Sequence, residues 1–154
     1  MDNPTLDTPT IKFHRATPDA KTPKYANHGD AGADIFSIED DLTLEPGQRR
    51  LVDTGVTIEY PAGYGVFVHP RSGLGHTHGI SIVNAPGTID AGYRGTIQVN
   101  LINLGQDPVE VKKGDKIAQI VVQPVAYAQF TEVKNLSDLS ETTRGDRGHG
   151  STGR

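Results

Sequence analysis

Arg71, Ser72 and Gly73 follow one another in the stretch His69-Pro-Arg-Ser-Gly73, and each suits an anionic oxygen. Arginine presents a planar fork of N–H donors, serine a hydroxyl, and glycine a backbone amide with no side chain in the way. An exposed turn with an ion pair would use the same residues. A second stretch, Asn84-Ala-Pro-Gly-Thr-Ile-Asp-Ala-Gly-Tyr-Arg-Gly95, is richer than a turn requires. Its glycines, Gly87 among them, let backbone approach a flat ligand. Tyr93 supplies a rigid aromatic face for a sugar or base. Asn84 offers both a donor and an acceptor. Asp90 is a carboxylate able to take a proton from water. The segment Gly87–Gly95 is the expected centre of the chemistry.

Three further segments could complete a site. In Asp30-Ala-Gly-Ala-Asp34, one of two carboxylates could hold a hydrated magnesium ion, which prefers oxygen ligands and keeps several waters. A plain Asp-rich turn is the competing reading. Gln119 is a lone amide in an apolar run and needs partners if buried, from neighbouring backbone or from a ligand. Finally, Gly148-His-Gly-Ser-Thr-Gly153 offers backbone amides and two hydroxyls to phosphate oxygens. It has no Walker lysine and leads into no helix, so it is not a P-loop. Arg144 could add charge there, and His149 could stack on a base. His69, His76 and His78 lie near one another, but their spacing does not fit a helical zinc motif and no cysteine supports one.

The elements that must carry these segments are strands. Period-two alternation runs through Ile11 and Phe13, through Val56, Ile58 and Tyr60, through Val66 and Val68, and most cleanly through Ile97, Val99 and Leu101. Val109 and Val111 form another short run. Ile117–Val122 is apolar except for Gln119 and reads as a strand buried on both faces. Glu45-Pro-Gly47, Ala85-Pro-Gly87, Asp90-Ala-Gly92 and Lys113-Gly-Asp115 break the runs. Asn84–Gly95, flanked by Ile80–Val83 and Ile97–Leu101, reads as a wide hairpin. His69–Gly73 leads from a strand into a loop that includes Gly75–His78, and the weak helix candidate is Asn135–Leu139. Many short strands predict an all-β sandwich or barrel.

Composition sets the limits. The formal net charge is −4, so a general nucleic-acid binder is not expected. Cysteine is absent, which removes disulfides and thiolate chemistry. No apolar run approaches the length of a membrane span, Met1–Thr10 does not read as a signal peptide, and a cytoplasmic protein is expected. Only 34% of residues are apolar, a thin core supply that favours burial between subunits. Ser140–Arg154 contains no apolar residue and by itself reads as a mobile tail. The expected division is one β domain, 1–139, and a glycine-rich arm, 140–154.

In this order, from about Asp30 to Gly153, the five segments resemble the trimeric deoxyuridine triphosphatases. The resemblance implies an all-β, jelly-roll-like subunit, a homotrimer with active sites at subunit interfaces, and hydrolysis of dUTP to dUMP and pyrophosphate with Mg2+. Asp34 would hold the magnesium through water, and Arg71, Ser72 and Gly73 would bind phosphates. Asn84 and the backbone around Thr88, Ile89 and Gln98 would read the uracil edge. Tyr93 would pack under the deoxyribose, and Asp90 would deprotonate the attacking water. Gln119 would meet the α-phosphate region from a neighbouring subunit. The arm would fold over the nucleotide, with Arg144, Gly150, Ser151 and Thr152 at the phosphates and His149 over the base. Many members carry Phe at the position of His149, and a histidine ring titrates near neutrality. A dCTP deaminase of the same superfamily and a nucleotide-gated regulatory protein are the alternatives.

Overall fold

The structure is a computed structural model and describes residues 8–148. Eleven strands run among these residues: β1 (Lys12–Arg15), β2 (Gly32–Phe36), β3 (Leu42–Leu44), β4 (Arg49–Asp53), β5 (Val56–Glu59), β6 (Tyr64–His69), β7 (Ile80–Ile82), β8 (Gly87–Ile89), β9 (Gln98–Asn103), β10 (Val109–Val111) and β11 (Lys116–Pro124). They form a four-stranded sheet β2-β11-β6-β8, a three-stranded sheet β4-β9-β7, and the pairs β1-β5 and β10-β3. Every pairing is antiparallel. No two consecutive strands among them pair, so the chain changes sheet at each connection. This is the all-β, jelly-roll-like architecture expected from the resemblance.

One core draws on all four sheets, with Ile35, Leu44, Val52, Val56, Val66, Val99, Leu101 and Ile117 all at most 2% exposed. Alternation predicts the inward side chains correctly in β9, where Val99, Leu101 and Asn103 are buried. Asn103 is tolerated inside because its amide is satisfied. Nδ2 donates to the Leu44 and Asp107 carbonyls at 2.9 and 2.8 Å, and Oδ1 accepts the Gly105 amide at 2.9 Å.

Three local expectations need correction. Ile117–Val122 is not buried on both faces throughout: Val121 and Val122 are only half-buried. A register shift between Lys116 and Ala118 instead turns two successive residues, Ile117 and Ala118, inward. The expected loop after Arg71 is an α-helix, α1 (Ser72–His78). Its glycines weaken the helical signal, and Gly79, at φ 71°, closes it in the left-handed conformation. The candidate helix at Asn135–Leu139 contracts to one 3-10 turn, Leu136–Asp138. The wide hairpin expected around Asn84–Gly95 does form, with one strand diverted between its arms. β7 does pair β9, but β8 leaves to join β6 in the other sheet.

Candidate active site

The register of the four-stranded sheet aligns His69 with Gln119 and Gln119 with Asp34. Directly paired residues project to the same face. The next row, Val68, Ile120 and Ala33, is buried in the core. Asp34 and Gln119 therefore belong to the opposite face. Just past β6, Arg71 swings across the sheet, and its Nε donates to Asp34 Oδ1 at 3.0 Å. Lys116, which no motif in the sequence marks, places Nζ 2.8 Å from Asp34 Oδ2. Asp34 itself is only 7% exposed, so two cations hold its charge in place. Gln119 Nε2 donates to the Pro70 carbonyl at 3.1 Å. Asp34, Arg71 and Gln119 line a cleft of about 330 Å³ together with Asp30, Gly32, Ser72 and Gly73. The amides of Ser72 and Gly73 belong to the first helical turn, where N–H groups have no intrahelical acceptor. A Cβ on Gly73 would meet nothing within 4 Å, so its backbone is open to a ligand.

Gly32 has a stricter requirement. A Cβ there would fall 2.1 Å from Gln119 Oε1, so Gly32→Ala must displace the Gln119 side chain. We expect this substitution to raise KM for a triphosphate substrate several-fold with little change in thermal unfolding, because Gln119 is flexible and half-exposed. A KM equal to the parent's would show that the Gln119 position does not matter to binding.

The second cluster forms at the far edge of the same sheet. β8 ends at Ile89, and the chain turns through Asp90–Tyr93, closed by the Tyr93 amide donating to the Asp90 carbonyl at 3.0 Å. The Tyr93 hydroxyl donates to the Thr96 carbonyl at 3.1 Å. Its ring lies so close over Gly95 that a Cβ there would sit 2.2 Å from the phenol oxygen. Thr88, Ile89, Asp90, Tyr93 and Gln98 surround a cleft of about 260 Å³, joined by Leu51 and Ile97. Leu51 was missed, although a large apolar side chain left 53% exposed marks it once the strand is placed. Asn84 and Gly87 stand at the other end of β8, where Asn84 Nδ2 lies 3.4 Å from the space beside Gly87. Arg94 was also missed as a working residue. It donates to the Ala91 and Tyr93 carbonyls at 2.8 and 2.9 Å and to Glu59 at 3.2 Å.

The two clusters do not meet within one chain. Val66 pairs with Ile89, so Asp90 stands level with Gly65. Arg71 lies six residues further on, two past the end of β6, roughly 20 Å at strand rise. Its guanidinium also points to β2, the opposite edge of the sheet from β8. Arg144 bonds only within the turn Thr142–Arg147 among the described contacts. His149, Gly150, Ser151 and Thr152 lie outside the described residues.

The donor set fits magnesium in one way. Among the described residues no three His, Asp or Glu side chains converge, and both Asp34 oxygens already take cations. The Asp30 carboxylate accepts from Asn27. An all-protein cage is therefore absent here, whereas a hydrated ion arriving with phosphate ligands needs only one or two carboxylates.

Comparison with known proteins places the sequence and the fold among known relatives. A family model described as dUTPase matches residues 18–153. The deoxyuridine 5'-triphosphate nucleotidohydrolase of Thermobifida fusca strain YX is 50% identical over 152 residues, covering 98% of this chain and 83% of that protein. That of Mycobacterium leprae strain TN is 52% identical over 144 residues, covering 90% and 92%. The structure of the Staphylococcus bacteriophage 80alpha dUTPase with dUPNHPP superposes at a TM-score of 0.85 with 27% identity, covering 94% and 99%. A mutant dUTPase from phage phi11 of S. aureus, described for its coordination of a structural Mg(II) ion, superposes at 0.75 with 25% identity, covering 83% and 99%. With a family model matched over most of its length and relatives about half identical across it, the chain belongs to the dUTPase family.

Proposed function

We propose that this chain hydrolyses dUTP to dUMP and pyrophosphate, limiting uracil in DNA and supplying dUMP for thymidylate synthesis. The observation that carries this reading is the Asp90–Tyr93 turn. It sets a carboxylate and an aromatic face on one small cleft whose remaining edge is backbone and amide from Thr88, Ile89 and Gln98. Tyr93 packs beneath the deoxyribose and leaves no room for a 2′-hydroxyl. Backbone donors and acceptors of the cleft, with Asn84, read the uracil edge, and the missing thymine methyl is selected by steric exclusion. A polar mismatch in such a pocket costs more than a missing methylene. Asp90 orients the attacking water and accepts its proton.

Phosphate binding falls to the other cleft, with Arg71, Ser72, Gly73 and Gln119. Asp34 would hold Mg2+ through water; when bound, the ion neutralises charge on the leaving pyrophosphate. Because Asp90 and Arg71 on one chain are too far apart for one triphosphate, a complete site takes the Asp90 turn from one subunit and the Arg71 cleft from another. A homotrimer satisfies this by closed symmetry. Exposed apolar side chains support association: Tyr127, Phe130, Val133, Leu136 and Leu139 recur every third residue and are each at least 39% exposed. The arm, 140–154, closes over the nucleotide, with Arg144, Gly150, Ser151 and Thr152 at the phosphates and His149 over the base. No helix among the described residues is long and apolar enough to cross a membrane; a cytoplasmic location and no nucleic-acid partner complete the reading.

Incubation with dUTP and with dCTP, quantifying pyrophosphate and ammonia, tests the activity. Pyrophosphate from dUTP alone is expected; ammonia from dCTP would make the chain a deaminase, and neither product would leave a regulatory binding protein. Deletion of 140–154 should lower kcat/KM by about 100-fold or more, through lost phosphate contacts and water exclusion. Its thermal unfolding should stay near the parent's, since no residue of 140–148 is buried. Unfolding of the truncated chain would instead make the arm structural.

A further inference from the structure

Asp90 sits on an exposed turn, and one backbone hydrogen bond closes that turn internally. Exposed loops with few internal bonds open at low cost, whereas a general base must keep hydrogen-bond geometry with its water. The restraint comes from outside the turn, at the end of β5. Tyr60, buried at 8% exposure, donates its hydroxyl to the Ile89 carbonyl. That carbonyl belongs to the peptide unit that ends at the Asp90 Cα. Because the unit is planar, holding its oxygen sets the plane from which the Asp90 side chain departs. The phenol oxygen also meets the backbone of Val66, the partner of Ile89 in the β6–β8 ladder. The adjacent residue, Glu59, accepts from Arg94 at 3.2 Å. Arg94 in turn bonds the Ala91 and Tyr93 carbonyls, and Lys12 braces Glu59 from its other side at 3.2 Å.

We propose that Tyr60, assisted by Glu59 through Arg94, is a positioning residue that fixes the orientation of Asp90 for proton abstraction. The inference rests on Asp90 being the base. Tyr60 is suited to the task. Its ring is locked in the core, and Pro61 confines its backbone to the extended region. Burial foremost raises the phenol above its ordinary range, with the Asp90 and Tyr127 charges adding and the Val66 backbone opposing. The group therefore remains a donor.

Tyr60→Phe in the full chain keeps the ring and deletes one hydroxyl. Its kcat with dUTP should fall about tenfold or more, as small misplacements of a base do. KM, and the Kd for dUPNHPP, should stay within about twofold, since no binding group is removed. In the Asp90→Asn background the same substitution should cost nothing further. Glu59→Gln should lower kcat by about threefold, the scale of an exposed ion pair. Parent-like kcat in Tyr60→Phe overturns the inference, as does an undiminished loss in the Asp90→Asn background, which would reveal general loosening. Parent-like turnover in Asp90→Asn alone overturns the assignment of the base, and is told apart because Tyr60 is intact.

Discussion

Asp90→Asn is expected to lower kcat with dUTP by about two to four orders of magnitude, the usual contribution of a positioned base. The amide is nearly the same size as the carboxylate, so the turn should survive. The bond from the Tyr93 amide to the Asp90 carbonyl is backbone to backbone and does not depend on the side chain. Tyr93, Thr88 and Gln98 keep their places around the cleft, and dUPNHPP should bind with nearly the parent's affinity. What the amide cannot do is accept the proton of water. Steady-state turnover beside calorimetric binding of dUPNHPP separates the two effects. Equal losses in binding and turnover would mean that Asp90 serves the nucleotide and not the water.

The second large effect concerns how a site is shared. Arg71→Ala removes a phosphate donor and should by itself abolish most activity, since charge-assisted contacts to phosphate are among the strong hydrogen bonds. It should still fold: Asp34 is buried but keeps Lys116 at 2.8 Å as a partner. If each site takes its Asp90 turn and its Arg71 cleft from different subunits, chains with Asp90→Asn and chains with Arg71→Ala complement each other. In a one-to-one random mixture, each half of a site is intact with probability one half. About a quarter of the parent's activity should then appear in the unselected mixture, and about a third once unmixed trimers are removed, because every mixed trimer holds one intact site of three, from two variants that have almost none. Co-expression of the two variants with distinct tags, followed by purification through both, gives the mixed oligomer to assay. No recovery would place both clusters at one site within a chain, contrary to the roughly 20 Å that the β6–β8 register puts between them.

Strand existence was legible because burial follows period two on a pleated surface. β9 is the clearest instance, with Val99 and Leu101 inward and Gln98 exposed. α1 was not legible, because two of its seven residues are glycine and it buries none of its side chains, so no apolar periodicity exists to read. The hairpin reading of Asn84–Gly95 holds for its flanking strands, since β7 pairs β9, but it could not show where β8 goes. Neighbouring runs in sequence usually pair, yet here β8 is claimed by β6 across a gap that includes α1 and β7. Such pairings depend on which edges remain free after the core collapses, and that is a property of the whole chain. Tyr60 looked like one more inward residue of an alternating strand, since alternation reports burial and not what a hydroxyl touches.

Residue chemistry by itself determined which groups can act: Arg71, Ser72 and Gly73 for phosphate, Tyr93 for a flat ring or sugar, Asp90 for a proton. Their order along the chain was enough for the resemblance to a family. The tertiary structure decided which of them share a cleft. It joined Asp34 to Arg71, Lys116 and Gln119 through the register of three strands, and it carried Asp90 and Tyr93 to the opposite edge of the same sheet. It also attached the Asp90 turn to β5 through Tyr60 and Glu59, residues with no motif around them. The physical reason is that side-chain chemistry is local, whereas distance between side chains is set by pairings among strands far apart in sequence.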